Sequence, residues 1–461
     1  MTVSAADLAG RPGPRYRALA DCLEGAIRSA RLQPGDRLPP QRDLAFDLGV
    51  TVGTVGRAYG LLLQRGLVRG EVGRGTYVLG DGDRPSMPAP LAAPNREHDL
   101  AVNRPVAVPA QAQVFAALGE IAKDAAHLAP LLTYPPYPGH PAHREALAAW
   151  LDGFAGPVEA GRILPCQGTQ NGMAAALASV TRPGDSLLVE ALSYASNQGL
   201  AMRLGLKLLP VASDAEGALP ESIEAQCRAH RPTAIVLSPD LQNPTLATAS
   251  AERRESIVTL ARAHDLAIVE DAVYAPVAAT GLPALVQLAP ERTLLVTSIS
   301  KFLAPGLRFG CVVAPPGRMA SLISAQAHLA VGVSPLIAET FTRLQRAGVF
   351  EQALAEQHAA LERRRAVALE ALDGLAVSSA GNALHVLLEL PGGLDPAATV
   401  LRLANAGIHT TPLTVFAVGR TPVPPMLRLS LGAEPDETSL RACLEQLRQH
   451  LSEKLSAQPV I

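Results

Sequence analysis

The stretch RTLLVTSISKFLAPGLRFG, residues 292–310, decides how this chain is read. RTLLVTS is a short apolar run of the kind that makes a strand buried on both faces. A Ser-Lys pair and a loop punctuated by Gly and Pro follow it. The 461-residue sequence has four lysines, Lys123, Lys207, Lys301 and Lys454. Lys301 is the one flanked by a strand and a Gly-containing loop; the other three sit in helix-like, polar or terminal contexts. A lysine amine whose pKa is lowered by burial or by a nearby positive charge can form a Schiff base with an aldehyde. Taken alone, the motif equally suits an ordinary surface lysine.

Working outward, SLLVE (186–190), AIVLS (234–238) and LAIVED (266–271) have the same strand character. Amphipathic stretches such as SAERRESIVTLARAH (250–264) lie between them. Strand, helix and strand at this rhythm predict a mostly parallel α/β sheet across the 350-odd residues after position 97. Three further motifs stand at its strand ends. In EDAVYA, Asp271 closes an apolar strand, where a carboxylate can keep a pyridine nitrogen protonated. Tyr274, three residues on, can reach a phenolic oxygen on the same ring. Alone, this motif is an ordinary strand-to-loop acid pair. In SPDLQNPT, the Asn243 amide can donate to that same oxygen. In CQGTQNGMAAALAS, a Gly turn opens a helix, and the amides of Gly168, Thr169 and Gln170 with the helix dipole suit a phosphate.

The first eighty residues read differently. Tyr16, Leu19, Ala20, Leu23 and Ile27 repeat at helical spacing, and that helix stops in RLQPGDRLPP. QRDLAFDLG predicts a second short helix ended by Gly49. Thr51 caps a third, TVGTVGRAYGLLLQRG, with Val55, Ala58, Tyr59 and Leu62 on its buried face. LVRGEVGRGTYV then gives two short strands around a Gly-rich turn, a wing. A helix so presented can enter a major groove while arginines and main-chain amides hold phosphates.

Composition agrees with two unlike parts. Forty basic residues nearly balance 42 acidic ones, yet residues 1–80 hold eleven arginines, no lysine and seven acids. A basic head therefore precedes an acidic body, as nucleic-acid contact or a solvated arginine-rich surface would each give. Between them DGDRPSMPAPLAAPNRE (81–97) has four prolines and no periodicity, an extended semi-rigid linker. No run approaches the ~18 apolar residues of a membrane span, and the start lacks a signal peptide. Five cysteines, odd in number and without a CxxC pair, fit reduced thiols in the cytoplasm and argue against a metal site. His140 and His143 make an HxxH in a Pro/Gly loop without a third ligand and are read as structural. The expected division is 1–80, 81–97 and 98–461.

RLQPGDRLPPQRDLAFDLGVTVGTVGRAY (31–59) and GEVGRGTYV (70–78) resemble the winged helix-turn-helix domain of GntR-type regulators. The resemblance implies DNA contacts from Arg42, Thr51, Thr54, Arg57, Arg74 and Gly75. Val52 departs from it, standing where that family commonly carries an arginine.

The order and spacing of the four body motifs resemble fold-type I pyridoxal-phosphate enzymes of the aminotransferase group. That resemblance implies pyridoxal 5'-phosphate held as an aldimine of Lys301, with Asp271 on the pyridinium and Asn243 and Tyr274 on the ring oxygen. It implies Tyr194 stacked on the ring, and Ser298, Arg308 and more weakly Ser300 on the phosphate. Tyr134 would reach the phosphate of a neighbouring subunit, and Arg428 in MLRLSLG would grip a substrate carboxylate. Ala272 stands where related regulators often have a second acid.

A GntR-like head on such a body is similar to the MocR subfamily of bacterial regulators. These are described as homodimers that bind a double-stranded DNA operator through the head. They sense pyridoxal phosphate, or its adduct with a small amine or amino acid effector, through the body. A working aminotransferase tethered to a DNA-binding head, and a decayed domain kept for dimerisation, are the two other readings this arrangement allows.

Overall fold

The computed structural model describes residues 14–29, 31–33, 35–64, 67–71, 75–79, 98–124 and 129–456. The linker expected at 81–97 and Arg74 lie outside them. By its contacts the chain divides into two compact units, residues 1–90 and 91–461.

Among its described residues the first unit has three helices, Arg15–Arg28, Gln41–Leu48 and Val52–Gln64, and a three-stranded antiparallel sheet. In its core Leu19, Ala20, Leu23, Val55, Ala58, Tyr59 and Leu62, spaced for it in the sequence, are buried together with Leu44 and Leu48; Ile27 packs against them partly buried, and Tyr16 stays outside this cluster with Arg57 over its ring. Gly49 ends the second helix in the left-handed conformation. Thr51 Oγ1 accepts from the Thr54 amide at 3.2 Å and so caps the third helix. Tyr59 is buried and its hydroxyl donates to the Pro39 carbonyl at 2.7 Å, tying that helix to the segment before the second. Strands Val68–Glu71 and Gly75–Val78 form the wing hairpin, with Arg37–Leu38 paired on its other side.

The second unit is built on a seven-stranded sheet. Its spatial order is Ile163–Cys166, Gly310–Val313, Thr293–Ser298, Ala267–Asp271, Ala234–Leu237, Ser186–Glu190 and Lys207–Val211. All are parallel except Gly310–Val313, which runs antiparallel to both its neighbours. Apart from the first residue of Ser186–Glu190 and of Ala267–Asp271 and most of the edge strand Lys207–Val211, every residue of these strands is buried, as helices on both faces require. Helix Gly168–Val180 lies close on the sheet: a Cβ at Gly172 would come 2.7 Å from Val296 and 3.0 Å from Cys166. A second, four-stranded sheet has the order Val377–Ser378, His385–Glu389, Met426–Ser430 and Thr411–Pro412. Helix Val349–Ala371 and the long C-terminal helix Glu437–Ser456 pack beside each other in this half. Directly after Lys301, Phe302 is fully buried among Trp150 and Phe350, which anchors the turn that carries the lysine. All five cysteines are buried and none is joined in a disulfide. No helix among the described residues is long and apolar enough to cross a membrane.

Candidate functional site

Parallel strands of one sheet place their carboxyl ends along one edge, and ligands of such sheets bind there. Here those ends carry Gly168 after Cys166, Tyr194 after Glu190, Asn243 after Leu237, Asp271 with Tyr274, and Ser298 with Lys301. The second sheet adds His385 and Arg428 from adjacent strands.

Lys301 follows its strand through a short 3-10 turn and is half-buried. Its Nζ donates to the Asn103 carbonyl at 2.6 Å and lies 5.6 Å from the centroid of the Tyr274 ring. Burial, reinforced by Arg428, brings its pKa down to about 8, although Asp271 acts in the opposite direction. Asp271 is buried on the neighbouring strand, and burial pushes it up to about 6. One of its oxygens accepts from the Val273 amide at 3.3 Å. Tyr274 is buried, its phenol raised well above the usual value by desolvation, and its oxygen accepts from Asn103 Nδ2 at 2.9 Å.

Arg428 is 5% exposed and meets only neutral acceptors. Nη1 donates to Asn243 Oδ1 at 2.9 Å and Nη2 to the Ala101 carbonyl, while Nε has no partner. The guanidinium stands 5.0 Å from the centroid of the Phe416 ring. No carboxylate among the described residues pairs with it, so a cation is held dry and open to an anion. Since a guanidinium only donates, Asn243 must present its oxygen there, which leaves its Nδ2 for another acceptor.

A polar cradle lies at the start of helix Gly168–Val180. Thr169 Oγ1 donates to Ser298 Oγ at 2.9 Å, and Ser298 Oγ also accepts from the Ser300 amide at 3.4 Å. Ser300 Oγ is buried and has no partner. Gly168 has φ +74°, and a Cβ there would be 2.7 Å from Arg308 Nη2, so the guanidinium lies against this glycine. No side chain caps this helix. Free amides, hydroxyls and one guanidinium thus converge as a phosphate would need.

Tyr194 is partly buried at the start of the next helix, close enough to Tyr274 and Arg428 to perturb both. Tyr134 is 86% exposed and takes no part in this pocket within the chain. Lys123 and Lys207 are exposed; Lys207 opens a strand rather than a helix or loop. His143 pairs with Glu339 at 3.3 Å, accounting for the HxxH locally. Among the described residues His98, Glu434 and Cys443 bring metal-type donor atoms within 4.8 Å of one another, but His98 and Glu434 already pair at 3.1 Å.

Asn103 and His385 line the pocket outside any motif, and Glu190 at the end of SLLVE and Gln242 within SPDLQNPT support it. Glu190 is buried, pushed up to about 8 mainly by desolvation, and accepts from Gln242 Nε2 at 3.2 Å. His385 bridges Asn103 and the Pro244 carbonyl.

In the head, Arg42 is exposed in the first turn of its helix, and Thr51, Val52 and Arg57 are exposed along the third helix. Thr54 is half-buried, its Oγ1 2.9 Å from that of Thr51. The Arg57 guanidinium lies 5.3 Å from the Tyr16 ring centroid, and its Nε donates to the Gly53 carbonyl at 3.3 Å. Gly75 opens the second wing strand with φ +122°, where Arg37 packs against it.

Residues 99–447 match the family model "Aminotransferase class I and II", and residues 15–78 match "Bacterial regulatory proteins, gntR family". The chain is 29% identical to the HTH-type transcriptional regulator YdeF of Bacillus subtilis, with 95% of each chain covered. It is 26% identical to the HTH-type pyridoxine biosynthesis transcriptional regulator PdxR of Corynebacterium glutamicum, over 94% of this chain and 95% of that one. To the probable rhizopine catabolism regulatory protein MocR of Rhizobium meliloti it is 28% identical over 66% of each. Among solved structures, the α-aminoadipate aminotransferase LysN of Thermus thermophilus superposes with a TM-score of 0.70 at 24% identity, covering 78% of this chain and 93% of that one. Matched over three quarters of its length and carrying a regulatory head before that match, the chain belongs to the class I and II aminotransferase family as a transcriptional regulator of the MocR type.

Proposed function

We propose that this regulator acts in the cytoplasm as a homodimer on an operator in double-stranded DNA. In this reading it binds pyridoxal 5'-phosphate through Lys301 and responds to the cofactor or to an amine or amino acid that reacts with it. The observation that carries the cofactor reading is the placement of Lys301, its Nζ on the Asn103 carbonyl, beside a buried Asp271 at the end of the adjacent parallel strand. The residues fit the group: Ser300 Oγ, Arg428 Nε and Asn103 Oδ1 are buried polar atoms lacking partners, as expected of a pocket shaped for a polar ligand.

The cofactor, when bound, supplies an electron-withdrawing ring joined to the amine nitrogen. With its pKa brought down to about 8, Lys301 offers a fraction of unprotonated amine at near-neutral pH. The Asp271 carboxylate would face the ring nitrogen and favour its protonated form. Tyr274 and Asn243 Nδ2 are the donors for the ring oxygen, and Tyr194 is the stacking aromatic. Ser298, Ser300, Arg308 and the amides of Gly168, Thr169 and Gln170 would hold the phosphate. Arg428 is the seat for a carboxylate, which favours an amino acid over a simple amine. Phe115, Leu132, Tyr134 and Val331 are large exposed side chains that a second copy would cover, bringing Tyr134 to its partner's phosphate. Arg42, Thr51, Thr54, Arg57, Arg74 and Gly75 are the DNA-facing set.

The test is borohydride reduction of the cofactor-treated full chain followed by peptide mapping. A single adduct on Lys301, lost in Lys301→Ala, is expected. An adduct on Lys123, Lys207 or Lys454 would sink the assignment.

A further inference from the structure

Five residues in the pocket are joined by hydrogen bonds whose direction can be worked out. Pro244 presents its carbonyl to His385 Nε2 at 2.9 Å. A carbonyl only accepts, so Nε2 carries the ring proton. Burial, with Arg428 and Lys301 nearby, drives His385 down to about 3, so the ring is neutral and its Nδ1 is an acceptor. Nδ1 lies 3.2 Å from the Asn103 amide nitrogen, which fixes which way that amide faces. The second hydrogen of Asn103 Nδ2 goes to the Tyr274 oxygen at 2.9 Å. The phenol oxygen therefore accepts from Asn103, and its own proton is left to point elsewhere in the pocket. The main-chain carbonyl of the same Asn103 receives Lys301 Nζ at 2.6 Å.

Asn103 pays for this arrangement. It is 9% exposed, and its Oδ1 is buried with no partner. A side chain kept for packing alone would not leave a dry carbonyl unsatisfied. Alanine at this position would remove that orphan, so loss of fold is not the expected consequence.

We infer that Asn103 is a positioning residue of the pocket: its amide, oriented by His385, directs the Tyr274 hydroxyl, and its carbonyl holds the Lys301 amine. The inference rests on the reading that pyridoxal phosphate attaches to Lys301. A phenol whose oxygen already accepts from Asn103 is free to donate its proton to the oxygen of the cofactor ring. That donation stabilises the negative ring oxygen, so the proton shared between it and the lysine nitrogen leaves at lower pH. Without Asn103 the hydroxyl can turn, and the proton is kept to higher pH.

The experiment is a pH titration of the visible absorbance of the full chain loaded with pyridoxal phosphate. Asn103→Ala should raise the midpoint by up to about one pH unit, a tenfold change in proton affinity. Asn103→Asp, which keeps the shape but offers Tyr274 an acceptor in place of a donor, should raise it further. Tyr274→Phe should raise the midpoint as well, and Asn103→Ala added to Tyr274→Phe should produce no additional shift. An unchanged midpoint in both Asn103 variants overturns the inference while leaving the cofactor reading intact. So does an Asn103→Ala shift that persists in the Tyr274→Phe background. A wild-type chain that acquires no visible band overturns the cofactor reading, and this inference with it.

Discussion

The Arg428 guanidinium donates to Asn243 Oδ1 at 2.9 Å, although the two residues are 185 apart in the chain, Arg428 on a strand of the four-stranded sheet and Asn243 in the loop beyond a strand of the seven-stranded one. The bond does two things at once. It turns the asparagine so that its amide hydrogens are free, and it leaves a buried cation without an anionic partner. A ligand carboxylate would complete that cation by two parallel hydrogen bonds.

Arg428→Gln should therefore separate amino acids from simple amines. Charge-assisted hydrogen bonds contribute about 1.5–3 kcal/mol, so affinity for an amino acid should fall roughly 10- to 150-fold. Affinity for an amine without a carboxylate should change little. Spectral titration of the cofactor-loaded chain with both ligands measures this, and equal losses for the two would remove Arg428 from carboxylate recognition.

The lowered pKa of Lys301 makes a kinetic prediction. An ordinary lysine, with a pKa near ~10.4, gains nucleophile steadily up to that value. With Lys301 brought down to about 8, the rate of adduct formation on mixing the cofactor-free chain with pyridoxal phosphate should rise with pH to about 8 and then level. Stopped-flow absorbance follows it directly. A rate still climbing tenfold per unit above pH 9 would mean that the amine is not desolvated.

Glu190 links the pocket to stability. Its carboxyl titrates at about 8 in the folded chain, against ~4.3 when exposed, because burial disfavours the charge. Between those values the folded chain holds a proton that the unfolded chain has released, so stability falls as pH rises through that window. Glu190→Gln keeps an oxygen to accept from Ser238 and Gln242 and removes the titration. Relative to wild type, it should gain more at pH 8 than at pH 5, by a few degrees in Tm, the scale on which about 1 kcal/mol moves a large domain. A constant difference across that range would show that Glu190 does not titrate there.

Which parts of this site could be read in the sequence follows from how each is encoded. Lys301, Asp271 and Asn243 sit just beyond apolar strands, and a run such as LAIVED marks both the strand and the residue at its end. The head was legible for a similar reason, since its core repeats at helical spacing and Thr51 and Gly49 bound its helices by local chemistry. Asn103 and His385 have no such mark. They meet only because the chain entering the body crosses the second sheet, 282 residues apart in sequence, and neither lies in a repeat or a turn signal. Strands of two residues, such as His98–Asp99, are likewise too short to carry any periodicity.

Arg42 offers a test of the head that does not depend on the cofactor. It is exposed at the start of the helix Gln41–Leu48, whereas Arg231 is exposed on the body. If Arg42 neutralises a phosphate, Arg42→Ala should weaken operator binding and reduce the slope of log affinity against log salt by about one, and Arg231→Ala should do neither. A two-headed dimer should also bind an isolated half-site much more weakly than a pair. Equal effects from the two arginines would mean that the head is not the reader.

The last expectation concerns what the body does to DNA binding. A ligand shifts a regulator only through a difference in its affinity for two states, and couplings of ~1–3 kcal/mol are usual. Attachment of the cofactor would remove the Lys301 amine from the Asn103 carbonyl, where it donates at 2.6 Å. Displacement by an incoming amine would return a free lysine to the pocket, and a carboxylate on that amine would engage Arg428 from the other sheet. Each step would change which of these bonds are made and so would give ligands distinct bonded states to choose between. Pyridoxal phosphate, alone or with an amino acid, should change operator affinity by about 5- to 150-fold, the range such couplings give. Lys301→Ala should bind the operator as the untreated wild type does and lose the response. Equal affinity in cofactor-free, cofactor-loaded and amino-acid-treated protein would eliminate sensing and leave the body as an enzyme or a dimer platform.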